Sequence, residues 1–279
     1  MQHVPTGKDC LDYSPCGYEG SRLQFRGPCR DLQRDHVICI GSTETYGRFI
    51  SAPWPDLLDR ELGLDCVNLG VVNAGIDSFL HDPGLSQILA GAKAVVIQAM
   101  GAHNLSNRYY SVHPRRNDRF LSASPTLALL YPEVDFTEFH FTRHMLSRLH
   151  AICEKRSAAV FRELKSAWIA RMTALCALIP GPVLLLWISD RLPPERAEEI
   201  GDCEPLLVTR EMLEALRPHL AGQVEIAAPR GVFSGTDQPL PGFSAPAAAV
   251  LPGPAAHERA AAELLPLLRD LLPADLRHD

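Results

Sequence analysis

Apolar positions along the chain follow two spacings. Short, nearly continuous apolar runs at 36–40, 66–72, 94–99, 182–188 and 223–227 read as strands, and longer stretches with a helical period at 46–62, 136–153 and 156–178 read as helices. In the last of these, Phe161, Leu164, Trp168, Met172 and Leu175 form one stripe, the mark of a core face or a helix–helix contact. Pro53 and Pro55 fall near the start of the 46–62 helix, where they begin it or break it. Shorter helices are expected at 83–89 and 211–216. A closing helix is expected after Gly253, with Pro254 in its first turn, a stripe of Leu264, Leu265, Leu268 and Leu271, and a kink at Pro266. The run Ala-Val-Val-Ile-Gln-Ala at 94–99 has no alternation, as expected of a strand covered on both faces.

Strands alternating with helices predict a parallel sheet between two helical layers, a three-layer α/β/α fold with about five strands. Residues 1–35, rich in Gly, Pro and Cys, read as an arm packed on a body spanning 36–279, with a helical insertion at about 121–179. Ligands of such sheets lie beyond the carboxyl ends of the strands. Three loops leave that edge, at Gly41, Gly70 and Gly101. The first is the turn on which the chain is organised: Val37-Ile38-Cys39-Ile40 ends in Gly41-Ser42-Thr43, and a helical pattern follows.

Charge and cysteine usage narrow the classes. A net charge of −6 argues against nucleic acid as a partner. The longest apolar runs fall short of the ~20 residues a membrane span needs. Eight cysteines in a chain of 279 residues, with no signal-peptide pattern at the start and Cys39, Cys66 and Cys176 inside apolar patterns, suggest reduced core thiols and a cytoplasmic location. No CxxC pair is present, and His140 and His144, four apart, lack the glutamate of an HExxH motif, so no metal is expected. No phosphate-cradling or dinucleotide glycine motif supports a cofactor.

Two groups of residues could carry chemistry. Ser42 and Thr43 stand where a strand turns into a helix, beside free N–H groups that favour developing negative charge; their simpler role is to cap that helix. The polar stretch 101–120, expected to be a long loop, holds Arg108, Arg115, Arg116 and Arg119 with His113, Tyr109 and Tyr110. Forked guanidinium donors suit carboxylate, phosphate or sulfate; their simpler role is to pair with Asp118, Glu133, Asp135 and Glu138.

The turn Gly41-Ser42-Thr43-Glu44-Thr45-Tyr46-Gly47 resembles the first block of the SGNH, or GDSL-like, hydrolases. Asn68-Leu69-Gly70, or Asn73-Ala74-Gly75, resembles their second block, Met100-Gly101-Ala102-His103-Asn104 their third, and His257 falls near their final histidine block. Together, GSTETYG and Val112-His113-Pro114-Arg115-Arg116-Asn117-Asp118-Arg119-Phe120 are similar to a group of uncharacterised bacterial proteins. The resemblance implies a flavodoxin-like α/β/α fold. It also implies an ester or acyl hydrolase or acyltransferase acting on a small-molecule, anionic or carbohydrate substrate. Thr43 or Ser42 would be the nucleophile, His257 or His103 the base, and Gly70 or Gly75 with Asn104 the oxyanion donors. The sequence departs from the pattern in carrying Thr43 for serine, Ser42 for aspartate and His103-Asn104 for Asn-Asp; Leu251 occupies the register of the catalytic histidine, and Pro254 lies three residues before His257. The competing expectation is a catalytically degenerate protein that binds an anion through Arg108, His113, Arg115, Arg116 and Arg119.

Overall fold

The computed structural model describes residues 11–196, 200–201, 204–232, 245–273 and 276. The strands are β1 (His36–Gly41), β2 (Asp65–Gly70), β3 (Ala92–Gln98), β4 (Tyr110–His113), β5 (Arg116–Ala123), β6 (Val183–Ser189) and β7 (Gly222–Ala227). The helices are α1 (Thr43–Tyr46), α2 (Trp54–Leu62), α3 (Ile76–Leu80), α4 (Leu85–Leu89), α5 (Pro125–Leu130), α6 (Thr142–Ile152), α7 (Glu154–Ala177), α8 (Arg210–Ala215), α9 (Ala245–Ala248) and α10 (Pro254–Leu271).

Five strands form one parallel sheet in the order β2-β1-β3-β6-β7. Alternate side chains sort into two cores. Ile38, Ile40, Val67, Leu69, Val95, Ile97, Leu185 and Trp187 pack with the α7 stripe and α3. Val37, Cys39, Val96, Leu186 and Ile226 pack with Trp54 and Leu58 of α2 and with Ala260, Leu264 and Leu268 of α10. Both faces of the sheet are therefore covered, which is why β1, β3 and β6 show continuous apolar runs; the edge strand β7 alternates, with Val224 and Ile226 buried. Among the described residues, no helix is long and apolar enough to cross a membrane.

Three expectations are corrected. The 46–62 helix begins only at Trp54, because α1 ends at Tyr46, Gly47 (φ 71°) and Phe49 (φ 67°) take left-handed backbone, and Pro53 precedes the first turn of α2. The 101–120 stretch is not all loop: β4 and β5 pair as an antiparallel hairpin whose inward residues Tyr110, Val112 and Phe120 are buried. Two of the cysteines are joined, Cys16 to Cys29, because Cys16 and Phe25 exchange backbone hydrogen bonds of 2.9 and 2.8 Å and fold the arm back on itself. Cys39, Cys66, Cys153 and Cys176 are free, and Cys10 and Cys203 lie outside the described residues.

Beyond that bridge, the arm is anchored by Leu23 and Phe25, which enter the first core, and by Arg26, which reaches the turn after α1. Cross-linking residues 13 apart removes unfolded-state freedom worth about 3 kcal/mol. Cys16→Ser is therefore expected to lower unfolding free energy by about 2–3 kcal/mol in non-reducing buffer, and reductant should bring the parent to the variant's value. Equal denaturation midpoints before reductant is added would show that the bridge contributes nothing.

Candidate active site

In the order β2-β1-β3, the chain leaves β1 for one side of the sheet and returns to its other side with β3. This reversal opens a crevice beyond the carboxyl ends of β1 and β3. A cleft of about 430 Å³ lies there, lined by Ser42, Thr43, Glu44 and Arg48 from the first turn, Gln98 from β3, and His103 and Asn104 from the loop beyond it. Asn73 and Asp118 close one side, and Arg143 with Glu204 another.

Gln98 organises the floor. It closes β3 after the apolar run 94–97, and it is buried. Its Oε1 accepts from Ser42 N (3.0 Å), Thr45 N (3.1 Å) and Thr45 Oγ1 (2.6 Å), and its Nε2 donates to Glu44 Oε2 (2.6 Å). One carboxamide thus fixes the α1 backbone and a carboxyl group together. Glu44 is 6% exposed. Burial lifts its carboxyl to about 7; Gln98's donor and Arg143 oppose this, and the nearby Glu204 adds to it. The Ser42 hydroxyl makes no capping bond and has no hydrogen-bond partner among the described residues. The Thr43 hydroxyl is engaged on both sides: it donates to Asn73 Oδ1 (3.2 Å) and accepts from Asn73 N (3.0 Å), and Asn73 Nδ2 donates to Asp118 Oδ2 (3.3 Å). Asn73 adopts left-handed backbone (φ 58°) to make this contact, a conformation asparagine tolerates.

His103 lines the cleft but is nearly enclosed. Its Nε2 lies 3.5 Å from Glu204 Oε1, and its buried Nδ1 has no partner among the described residues. Burial draws it down to about 4; Glu204 opposes this and Arg143 reinforces it, so the ring is neutral at pH 7. Arg143 pairs with Glu204, whose Oε2 also accepts from Leu206 N. Asn104 Oδ1 accepts from Thr142 Oγ1 (2.9 Å), which leaves its amide N–H₂ as the donor end in the cleft wall.

Several expected site residues stand elsewhere. His257 is buried at the start of α10, where its Nδ1 accepts from Trp54 N (3.2 Å) and burial draws the ring down to about 3; it does not line the cleft. The N–H of Gly70 donates to Asn68 Oδ1 (2.8 Å), and that of Gly75 donates to Asn117 Oδ1 (3.1 Å), so neither faces a ligand. Glycine is needed at both for a different reason: a Cβ at Gly70 would lie 2.1 Å from Tyr46 N, and one at Gly75 would lie 1.7 Å from the Asn104 carbonyl.

The arginines of the 107–119 stretch do not converge on the cleft: Arg108 precedes β4, Arg115 lies in the hairpin turn, and Arg116 and Arg119 stand on β5. Arg108 pairs with Glu163 of α7 (3.0 Å). Arg115 lines a separate surface cleft with Arg22 and Asp82. Arg116 stands opposite His113 in the hairpin, and Arg119 lies over the Phe141 ring. No cluster of three or more metal-ligating side chains occurs among the described residues.

Sequence reading passed over Glu44, Gln98, Asp118, Arg143 and Glu204. A polar residue closing an apolar strand was a legible signal for Gln98. Nothing local marks the pairing of Arg143 with Glu204, which spans 61 positions.

Solved structures similar to this chain include an acetyl xylan esterase (Est2A) from the rumen bacterium Butyrivibrio proteoclasticus, at 13% identity and TM-score 0.41, with 89% of this chain and 66% of that chain covered. A putative lipolytic protein of the G-D-S-L family from Desulfitobacterium hafniense matches at 14% identity and TM-score 0.39, over 83% of this chain and 98% of that chain. A carbohydrate esterase family 2 enzyme from Corynascus thermopiles matches at 10% identity and TM-score 0.41, over 88% and 69%. The chain spans just under two thirds of the length of the first. No curated protein matches it significantly. A family profile described as a domain of unknown function (DUF6473) matches residues 1–272, and the chain belongs to that family.

Proposed function

We propose that the chain is an SGNH-like hydrolase or acyltransferase acting on an ester or acyl group of a small-molecule or carbohydrate substrate, with Ser42 as nucleophile and Glu44 as base. One observation carries this reading: a single Gln98 carboxamide holds both the Ser42 backbone and the Glu44 carboxyl at the floor of an open cleft, and the Ser42 hydroxyl is unpartnered. The hydroxyl attacks the acyl carbon as its proton passes, through one water because the two groups make no direct hydrogen bond, to the Glu44 carboxylate. Negative charge develops on the carbonyl oxygen, where the Thr43 N–H, which has no intrahelical acceptor, and the Asn104 N–H₂ are available donors. The departing alkoxide takes the proton from Glu44, and water or an acceptor hydroxyl then releases the acyl group with the same carboxylate as base.

A second reading, a binding protein on the same scaffold, is favoured by the absence of any described histidine hydrogen-bonded to either hydroxyl and by the closure of Thr43 on Asn73. Hydrolysis of short-chain nitrophenyl esters separates the two, measured on the parent beside Ser42→Ala, Thr43→Ala and His257→Ala, each checked for folding by circular dichroism. Activity lost in Ser42→Ala and kept in His257→Ala is the expected result. A folded but inactive parent, or equal rates in all four proteins, would shift the assignment to binding.

A further inference from the structure

The cleft contains two arginines in different states. Arg143 is neutralised by Glu204. Arg48 is only partly exposed, yet its guanidinium makes no hydrogen bond and no ion pair among the described residues; its guanidinium carbon lies 4.9 Å from the centroid of the Phe49 ring. Five N–H donors on a cation facing a cleft, with none used, form an incomplete arrangement, because a partly buried charge without a partner carries a desolvation cost.

The turn that presents Arg48 is built for position. Gly47 and Phe49 hold left-handed backbone, the Phe49 N–H donates to Tyr13 Oη (3.0 Å), and the Arg48 N–H donates to the Thr43 carbonyl (3.3 Å). Arg26 fixes the neighbouring carbonyls of Gly47 and Ile50 at 2.8 Å. Arg48 therefore follows directly on the short helix that Ser42 opens, on backbone that is already fixed, and little backbone ordering is needed when a ligand binds.

We infer that Arg48 is a specificity residue of this cleft, binding one oxyanionic group of a substrate that carries a single negative charge beside its ester; this rests on the hydrolase reading. The carboxyl groups of Glu44 and Asp118 on the same walls disfavour a polyanion. The anion subsite is therefore this guanidinium and not the arginines of the β4–β5 hairpin.

The test compares kcat/KM for the nitrophenyl hemiester of glutarate with that for the neutral nitrophenyl pentanoate. In Arg48→Ala the ratio of charged to neutral ester should fall roughly 10- to 100-fold, the range of one charge-assisted hydrogen-bond pair. Arg48→Lys should recover part of it, and Arg116→Ala should leave the ratio at the parent value. An unaltered ratio in Arg48→Ala, with hydrolysis intact, overturns the inference and leaves the hydrolase reading standing. If the parent cleaves neither ester, the hydrolase reading fails and the subsite is judged separately. Butyrate, a monoanion, should then raise the Tm of the parent and not of Arg48→Ala, and no rise in the parent overturns it.

Discussion

Replacing Glu44 with glutamine is expected to lower kcat/KM for a short-chain ester by about 10²–10⁴-fold, the usual worth of a positioned base. The substitution keeps the size of the side chain and an acceptor for Gln98 Nε2, so the floor of the cleft should persist. The pH dependence is the sharper signature. Glu44 accepts a proton only when ionised, and burial holds it at about 7, so the parent's rate should climb through about pH 7 and level off above it, with no such limb in the variant.

Stability should move the other way. A carboxyl raised from 4.5 in the unfolded chain to about 7 in the folded one contributes stability that is full below about pH 4.5 and lost as pH rises through about 7. The difference corresponds to about 3 kcal/mol. At pH 8, Glu44→Gln should therefore be more stable than the parent by up to that amount, measured by urea denaturation, while being nearly inactive. A variant that keeps the parent's pH limb would assign the proton to another group.

Gly70→Ala is expected to destabilise the fold by more than about 3 kcal/mol and to abolish activity. The added methyl would meet the α1 backbone at 2.1 Å from Tyr46 N and 2.6 Å from the Thr45 carbonyl carbon, and main chain cannot swing aside as a flexible side chain can. The β2 edge and the nucleophile turn would have to part. This outcome separates two roles for the position. Alanine retains the N–H, so a glycine serving as oxyanion donor tolerates the change, whereas a glycine required for close approach does not. A stable, active Gly70→Ala protein would restore the donor role.

The sheet was legible because its inner strands β1, β3 and β6 are buried on both faces and therefore print solid apolar runs, while the edge strand β7 shows an alternation of Val224 and Ile226 with polar residues; all five starts fall within two residues of the observed ones. The hairpin was hidden because its outward positions carry Arg116, Asp118 and Arg119, so the 107–119 stretch reads as polar, while its inward Val112 and Phe120 are too few to show a period. In the site, the turn after β1 was readable from glycine and hydroxyl residues at a strand end. The proposed proton acceptor was not. Glu44 looks like a solvated helix-start acid until Gln98, 54 positions away, is seen to hold it under cover. His257 misled for the opposite reason: it opens the last helix, as a base would, but the Trp54 N–H at the start of α2 draws it into the second core.

The clamp from Arg26 sets the smallest portable unit of this site. Its guanidinium donates to the carbonyls of Tyr46, Gly47, Ile50 and Ser51, four acceptors that no helix or strand would otherwise satisfy, and it is itself 5% exposed. A strand–turn–helix segment transplanted from 36–62 onto another parallel sheet would carry the serine and the carboxylate but lose this donor; of the four carbonyls, that of Gly47 would keep a bond from the Ile50 N–H (3.0 Å). The transferable piece begins upstream, in the disulfide-closed arm. Evolution or design that shortens this arm should therefore be read out first at residues 46–51, well before the sheet itself is affected.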